Sequence, residues 1–449
     1  MRILGVGSAF SNVAFRVRHR KNNARNGWFP RLIDAVHLPL CLLLAVSIQW
    51  FCSVNTALSQ EALRSSLAGQ EAMEAKKRAL TAGKYNVRFA NIALELGARL
   101  GVELNDNVFY SPEDKISDIS FRPQLTGVGV WMLTDKNRLN LSMGIGYAKY
   151  IQNPHLDTPF LTPDSDLSFD VYVRDIVINF HDRFSLQQDV SAQLISVTNV
   201  AYLERFENTV GVMATWDLNK AVVSAGYDHY NFVSLTRLFD YQTRQSELFF
   251  GRAMFAFNPV TSAGVELGGG MTAYDQSWLS DQEHISAGGV FTYRPSEYLS
   301  LRLASGWVSY FLEGQEAGGN ASQQGGIYAQ FSLNHRLNPR ISYNVTAGRE
   351  LRTGWLANLQ DLYYFRGRVV WNVILRSSLG TSFNYEHGTE SWATGSETSD
   401  RYALGLDLTR SFSPKLSGSL SYWFFHKAAT LQFHEYTQNR FVLELRYRF

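Results

Sequence analysis

The sequence predicts an all-β protein, a transmembrane antiparallel up-and-down β-barrel of about 18 strands, with 16 as the alternative count. Three observations carry this: alternating apolar and polar residues over unusually long stretches, short and long connections that take turns along the chain, and an export-type segment before the first strand. The alternation is plain in FVLELRYRF, where Phe441, Leu443, Leu445, Tyr447 and Phe449 interleave with Glu444, Arg446 and Arg448. Successive side chains of a strand point to opposite faces, so this segment sets an aromatic face against a charged one.

The first element is the export segment. The apolar run HLPLCLLLAVSIQWF, His37 to Phe51, follows Arg16, Arg18, Arg20, Lys21, Arg25 and Arg31. It is short for a spanning helix, and Ala57 and Ser59 stand where a signal peptidase requires small residues. Residues 1–59 therefore read as a signal peptide and 60–84 as a short periplasmic segment with a helix-forming or disordered stretch, leaving 85–449 for the barrel. Both cysteines, Cys41 and Cys52, fall in the signal, so no disulfide or cysteine metal site is expected in the mature chain. The signal also holds seven of the 42 basic residues and one of the 40 acidic ones, so the remainder is at −4. No basic tail for nucleic acid is present. The membrane-bound protein is expected to begin at Gln60; an intact mass that still includes Cys52 would contradict this.

From Tyr85 the pattern is period two. Ile92, Leu94, Leu96, Ala98, Leu100, Val102 and Leu104 alternate with Glu95, Gly97, Arg99, Gly101 and Glu103. The pattern recurs at Leu139 to Tyr147, Ile341 to Ala347 and Leu416 to Phe424. Strands of soluble sheets average about five or six residues, and these are twice as long. Their polar face is rich in Ser, Gly and Asn, which suits the concave wall of a lumen. An apolar outer band over a polar interior defines a membrane barrel, and closure follows because an open edge leaves backbone groups unpaired in hydrocarbon.

Tight turns are expected at Thr134-Asp135-Lys136-Asn137, Leu218-Asn219-Lys220, Asn258-Pro259, Arg294-Pro295-Ser296, Asn338-Pro339 and Ser413-Pro414-Lys415. Longer connections alternate with them at 105–115, 152–166, 275–283, 313–322 and 388–399. Arg174-Asp175 reads as a bulge, and the register of SELFFGRAMFAF is open. An even strand count pairs the last strand with the first, which sets Glu444, Arg446 and Arg448 against Glu95, Arg99 and Glu103.

Candidate pore-lining residues are Arg99, Arg122, Arg302, Arg336, Arg366, Arg368, Glu266, Glu350, Glu386 and Asp407. Both signs are present, so weak charge selectivity is expected. None of the outside connections reads as long enough to narrow the lumen, and the segment Glu61 to Leu80 is the one candidate plug. Trp131, Tyr147, Trp216, Phe291, Tyr293, Trp307 and Trp371 read as interfacial girdles, with carbohydrate stacking as the alternative. Asp106, Glu113, Asp114 and Asp118 read as a polar loop stabilised by Asx side chains, with a divalent-cation site as the sharper alternative. No nucleophile, metal or cofactor motif appears, so no enzyme is expected.

The stretch GARLGVELNDNVFYSPEDKISDISFRPQL resembles the opening of a β-barrel porin family associated with exopolysaccharide loci. That family ends a strand in an Asp-Asp-Asn-aromatic loop. Asn105, Asp106, Asn107 and Phe109 stand in its place, with Asn for the first Asp, followed by Asp118, Pro123 and Leu125. The resemblance implies an outer-membrane barrel of a Gram-negative bacterium that passes small hydrophilic solutes or assists polysaccharide export, or one that anchors an export complex without conducting. Tyr447 and Phe449 resemble the terminal signal that the barrel assembly machinery recognises. Outer-membrane lipid would then be the surrounding partner. Deleting Phe449 is expected to deplete the heat-modifiable barrel; normal levels would count against that role.

Overall fold

The computed structural model describes residues 85–134, 137–188, 203–313, 323–374, 376–392 and 395–449; the expected signal over 1–59 and the segment 60–84 lie outside the described residues. Eighteen strands follow one another. They are β1 Ile92–Asn105, β2 Asp118–Met132, β3 Arg138–Tyr150, β4 in two pieces (Thr158–Leu161 and Asp166–Val173), β5 Ile176–Gln187, β6 Arg205–Asp217, β7 Ala221–Ser234, β8 Arg244–Asn258 and β9 Thr261–Tyr274. The second half comprises β10 Gln282–Ser296, β11 Leu299–Leu312, β12 Gln323–Arg336, β13 Ile341–Thr353, β14 Leu359–Ile374, β15 Ser377–Trp392, β16 Gly395–Ser411, β17 Leu416–Ala429 and β18 Tyr436–Arg448. Each pairs antiparallel with the next, and β18 closes on β1 from Gly97 opposite Arg448 to Asn105 opposite Arg440. The count is 18, and the alternative of 16 is set aside.

Alternation determines which face each residue takes. Leu125 and Val265, each 58% exposed, and Ile285, 64% exposed, face out, whereas Glu266, next to Val265, is 2% exposed and faces in. In water such an apolar surface would drive aggregation; around a closed barrel it is the lipid face. Closure pairs the last strand with the first, as a sheet in hydrocarbon requires. The chain is thus an integral barrel of the outer membrane. Tyr447 and Phe449 sit on that outer face with their ring centroids 5.6 Å apart. At the same end Asn86 takes the place of a strand partner: its Nδ2 donates to Leu96 O (2.7 Å) and Phe449 O (3.0 Å), and its Oδ1 accepts from Leu96 N (3.0 Å).

Several expectations are corrected. Arg174-Asp175 is the turn between β4 and β5, with Val173 opposite Ile176 and Arg174 at a left-handed φ of 53°. A turn this short interrupts alternation just as a bulge does, so the sequence alone does not separate them. Most of 388–399, read as a loop, continues β15 and β16, which pair up to Trp392 opposite Gly395. SELFFGRAMFAF is continuous strand, paired without a shift from Arg244 opposite Phe232 to Phe255 opposite Ala221. Across the seam Arg446 stands opposite Arg99 rather than opposite an acid. The ion pairs there are Arg448 with Glu95 (3.0 Å) and Arg440 with Glu103 (3.0 Å).

Candidate functional site: a lumen crossed by an inward hairpin tip

All ten candidate pore-lining residues lie on the inward parity of their strands, as Glu266 does between the exposed Val265 and Leu267. The barrel brings six of them together in pairs. Glu266 on β9 accepts from Arg252 (3.0 Å) on β8 and from the Tyr328 hydroxyl (3.0 Å), and Arg302 lies 3.6 Å away. Glu386 on β15 is held by Arg366 (2.8 Å) and by Arg401 (2.9 Å), and Asp407 pairs with Arg368 (2.8 Å). Arg122 stands 3.7 Å from Glu103, whereas Arg336 lies over the Tyr298 ring near the short-turn end. Glu350 is buried near the opposite end. Arg99 lines two cavities along the wall formed by β18 and β1 to β4, of about 380 and 330 Å3, which share Arg99 and Thr162. Arg252, Arg401 and Arg440 were missed from the candidates, although the same alternation points to them.

Above this charged wall a hairpin tip enters the lumen. β11 and β12 pair up to Phe311 opposite Gln323, and β13 and β14 pair up to Thr353 opposite Leu359. The ladder between β12 and β13, however, stops at Ala329 opposite Arg349. The tip of the β13–β14 hairpin therefore leaves the wall. It turns inward, burying Leu351 and Leu359 against Val308, Tyr310 and Tyr328 of the inner wall. Its connection, Gly354 to Asn358, then reaches the β7–β8 connection. There the Trp355 ring meets Phe232 (6.2 Å between centroids) and Phe239 (6.3 Å) edge-on. Edge-to-face aromatic pairs of this kind add about 0.5–1.5 kcal/mol each beyond area burial.

One cluster of buried residues joins Phe232, Phe239 and Trp355 to Tyr110, Ala403, Phe425 and Tyr436. β7 and β16 to β18 lie on nearly opposite walls, so this apolar core crosses the lumen. The expectation that no outside connection narrows the barrel is overturned: a five-residue connection suffices because its whole hairpin tip bends inward. The segment Glu61 to Leu80 lies outside the described residues.

The connection is latched by hydrogen bonds. Glu390 on β15 is buried, and its Oε2 accepts from the backbone N–H of Trp355 (2.9 Å), Leu356 (2.7 Å) and Ala357 (3.2 Å). Successive N–H groups curled round one anion form a nest. Gln360 Nε2 donates to Glu390 Oε1 (3.0 Å), and Gln242 Nε2 donates to Trp355 O (3.0 Å). On the far side Asn358 Nδ2 donates to Ser280 O (2.7 Å) of the β9–β10 connection. A Cβ at Gly354 would stand 2.5 Å from Ala357 O and 2.9 Å from Glu390 Oε2, so the tight curl requires glycine.

The first-hairpin motif serves the seam. Asp106 accepts from Asn439 N (2.6 Å) and Nδ2 (2.6 Å), tying the end of β1 to β18. Asn107 is fully buried. It donates to Ser111 O (2.8 Å) and Thr437 O (3.0 Å) and accepts from Ser111 N (2.9 Å), while its backbone N–H donates to Asn105 Oδ1 (3.0 Å). Phe109 packs with Val108 and Leu156 and stacks on His155 at 6.1 Å. Asp118 accepts from the backbone N–H of Ile151 (3.2 Å), Gln152 (3.0 Å) and Asn153 (2.9 Å), which fixes the next connection. Asp106 and Asp118 are spent on these donors, and Glu113 and Asp114 are exposed. Among the described residues no group of three His, Cys, Asp or Glu has the geometry to hold a metal.

A closed 18-stranded antiparallel barrel, apolar outside and charged within, defines an outer-membrane barrel of porin-like architecture. Among solved structures, the chain is similar to a BenF-like porin from Pseudomonas fluorescens Pf-5, at 9% identity over 80% of this chain and 100% of that one, with a TM-score of 0.48. It is also similar to OccAB3 of Acinetobacter baumannii (10%, 80% and 100%, TM-score 0.46) and OpdL of Pseudomonas aeruginosa (13%, 80% and 99%, TM-score 0.44). No family model matches the chain, and no curated protein does.

Proposed function

We propose that this protein is a gated outer-membrane channel for small hydrophilic solutes, shut in its resting form by the β13–β14 connection. The observation that supports this most directly is the aromatic cluster around Trp355, which spans a lumen whose lower wall is charged and hollow. An anchor that never conducted would need no charged interior. A burial of charges this extensive is costly unless each is paired, and the pairs of Glu266, Glu386 and Asp407 meet that need. Because these pairs cancel one another, the open channel discriminates little between small anions and cations.

The finer reading, assistance to exopolysaccharide export, rests on the resemblance of Asn105 to Phe109. It adds a solute class to the same gate and makes polysaccharide, rather than ions alone, the cargo that crosses it. A non-conducting anchor or scaffold is the competing reading, and the two are separated by conductance. In planar bilayers the folded wild-type barrel is expected to be mostly silent, with rare openings whose reversal potential in a KCl gradient is close to zero. Silence in wild type and in every variant that removes Trp355 would favour the scaffold.

A further inference from the structure

We infer that Trp278 and Tyr241 form a stacking subsite for a pyranose ring at the outer mouth, where a linear oligosaccharide first meets the path to the Trp355 connection. The inference deepens the proposed polysaccharide cargo, and it rests on that reading for the role of the site, not for the binding itself. Trp278 lies in the β9–β10 connection and is 74% exposed, whereas its neighbour Leu279 is 3% exposed. Leu279 thus anchors the connection, and the indole is left in water. Single exposed apolar residues are common; what sets this one apart is its support. Tyr241 of the β7–β8 connection stands beside it, with the ring centroids 6.2 Å apart and the planes inclined at 55°. Tyr241 packs in turn against the cluster that crosses the lumen.

Direction follows from these contacts. Five rings run from water to the inward hairpin tip, Trp278, Tyr241, Phe239, Trp355 and Phe232, with successive centroids 6.2, 6.4, 6.3 and 6.2 Å apart. A tryptophan of the membrane belt sits among lipid head groups; this one rests on a ring that belongs to the lumen side. The backbone that carries the pair is fixed. Asp275 N donates to Thr243 O (3.0 Å), joining the two connections, Thr243 N donates to Asp240 O (3.0 Å), and Asp281 Oδ1 accepts from Tyr274 N (2.7 Å). Binding therefore orders little backbone, which keeps its cost low. Asp275, Gln276 and Ser277, all exposed, immediately precede the indole and supply hydrogen-bond acceptors and donors. A pyranose presents C–H groups on its faces and hydroxyls round its rim, so ring faces bordered by short polar side chains match it. A phosphate would leave the ring faces unused, and an apolar chain would leave the polar border unpaired.

Saturation-transfer NMR of the full folded barrel in lauryldimethylamine oxide, a detergent without a sugar head, tests this. The probes are cellopentaose and maltopentaose, with sorbitol as a polyol that lacks ring faces. Wild type is expected to bind at least one pentaose through its C–H protons and not to bind sorbitol. Trp278→Ala should weaken that binding about tenfold, and Trp278→Phe should restore most of it. Because the indole is exposed, both variants should keep the heat-modifiability of the folded barrel. No binding of either pentaose by wild type, equal binding by Trp278→Ala, or equal binding of sorbitol would each overturn the site. So would quenching of the Trp278 emission, taken as the difference between wild type and Trp278→Ala, by bromine-labelled phospholipid in nanodiscs, since that would make it a belt residue. Pentaose binding alongside a Trp355→Ala variant that stays silent in bilayers would uphold the subsite and count only against the gated path.

Discussion

Replacing Trp355 by alanine is expected to convert a mostly silent barrel into one that conducts for a large fraction of recorded time. Truncating a buried tryptophan costs about 3–5 kcal/mol where it is fully packed, and Trp355 is 4% exposed between Phe232 and Phe239. The loss falls on the closed form, because in the proposed open form this ring leaves the cluster. At about 1.4 kcal/mol for each factor of ten, the closed-to-open ratio should fall by about two orders of magnitude or more. Glu390→Ala should act in the same direction for a different reason: it leaves the N–H groups of Trp355, Leu356 and Ala357 without an acceptor, at about 1–3 kcal/mol for each that is buried. Bilayer recordings check both, and unchanged open probability in both variants would show that the connection is not the gate.

The second large effect is on stability. Asn107→Ala is expected to lower unfolding stability by about 3 kcal/mol or more, since removing a buried side chain that satisfies its neighbours strands their polar groups. Ser111 O, Ser111 N and Thr437 O all lose a partner. Thr437 belongs to the last strand and Ser111 to the first connection, so the damage is at the barrel seam. Urea titration of the reconstituted barrel measures it; a change below about 1 kcal/mol would leave Asn107 as an ordinary loop residue.

How far the molecule was legible follows from these residues. Ile92 to Leu104 and Leu416 to Phe424 declare their strands because a period of two has one reading when one face meets lipid. Turns marked by Asn-Pro or Ser-Pro were equally plain, whereas Arg174-Asp175 carries no such mark and the residues on either side are apolar in runs. The inward arginines could be assigned from parity alone, although which acid each would meet depended on register, so Arg440 rather than Arg446 or Arg448 took Glu103.

The inward hairpin tip was harder. Glu390 and the amides it binds are 33 to 35 residues apart, and backbone donors leave no trace in side-chain identity. One signal was present: Trp355, Leu356 and Ala357 are three consecutive apolar residues at the tip of an outside hairpin, where a hydrated loop would be polar. Apolar residues there imply that the tip is covered, and the covering turns out to be the lumen itself.

The most direct test of the account is an experimental density map of the wild-type barrel in lipid nanodiscs, at a resolution that traces the outer connections. Continuous density is expected from β13 across the mouth, with the Trp355 ring between Phe232 and Phe239 and the Glu390 carboxylate under the Trp355 to Ala357 amides. A β13–β14 hairpin that continues straight up the wall above Arg349, leaving an open lumen from end to end, would contradict it.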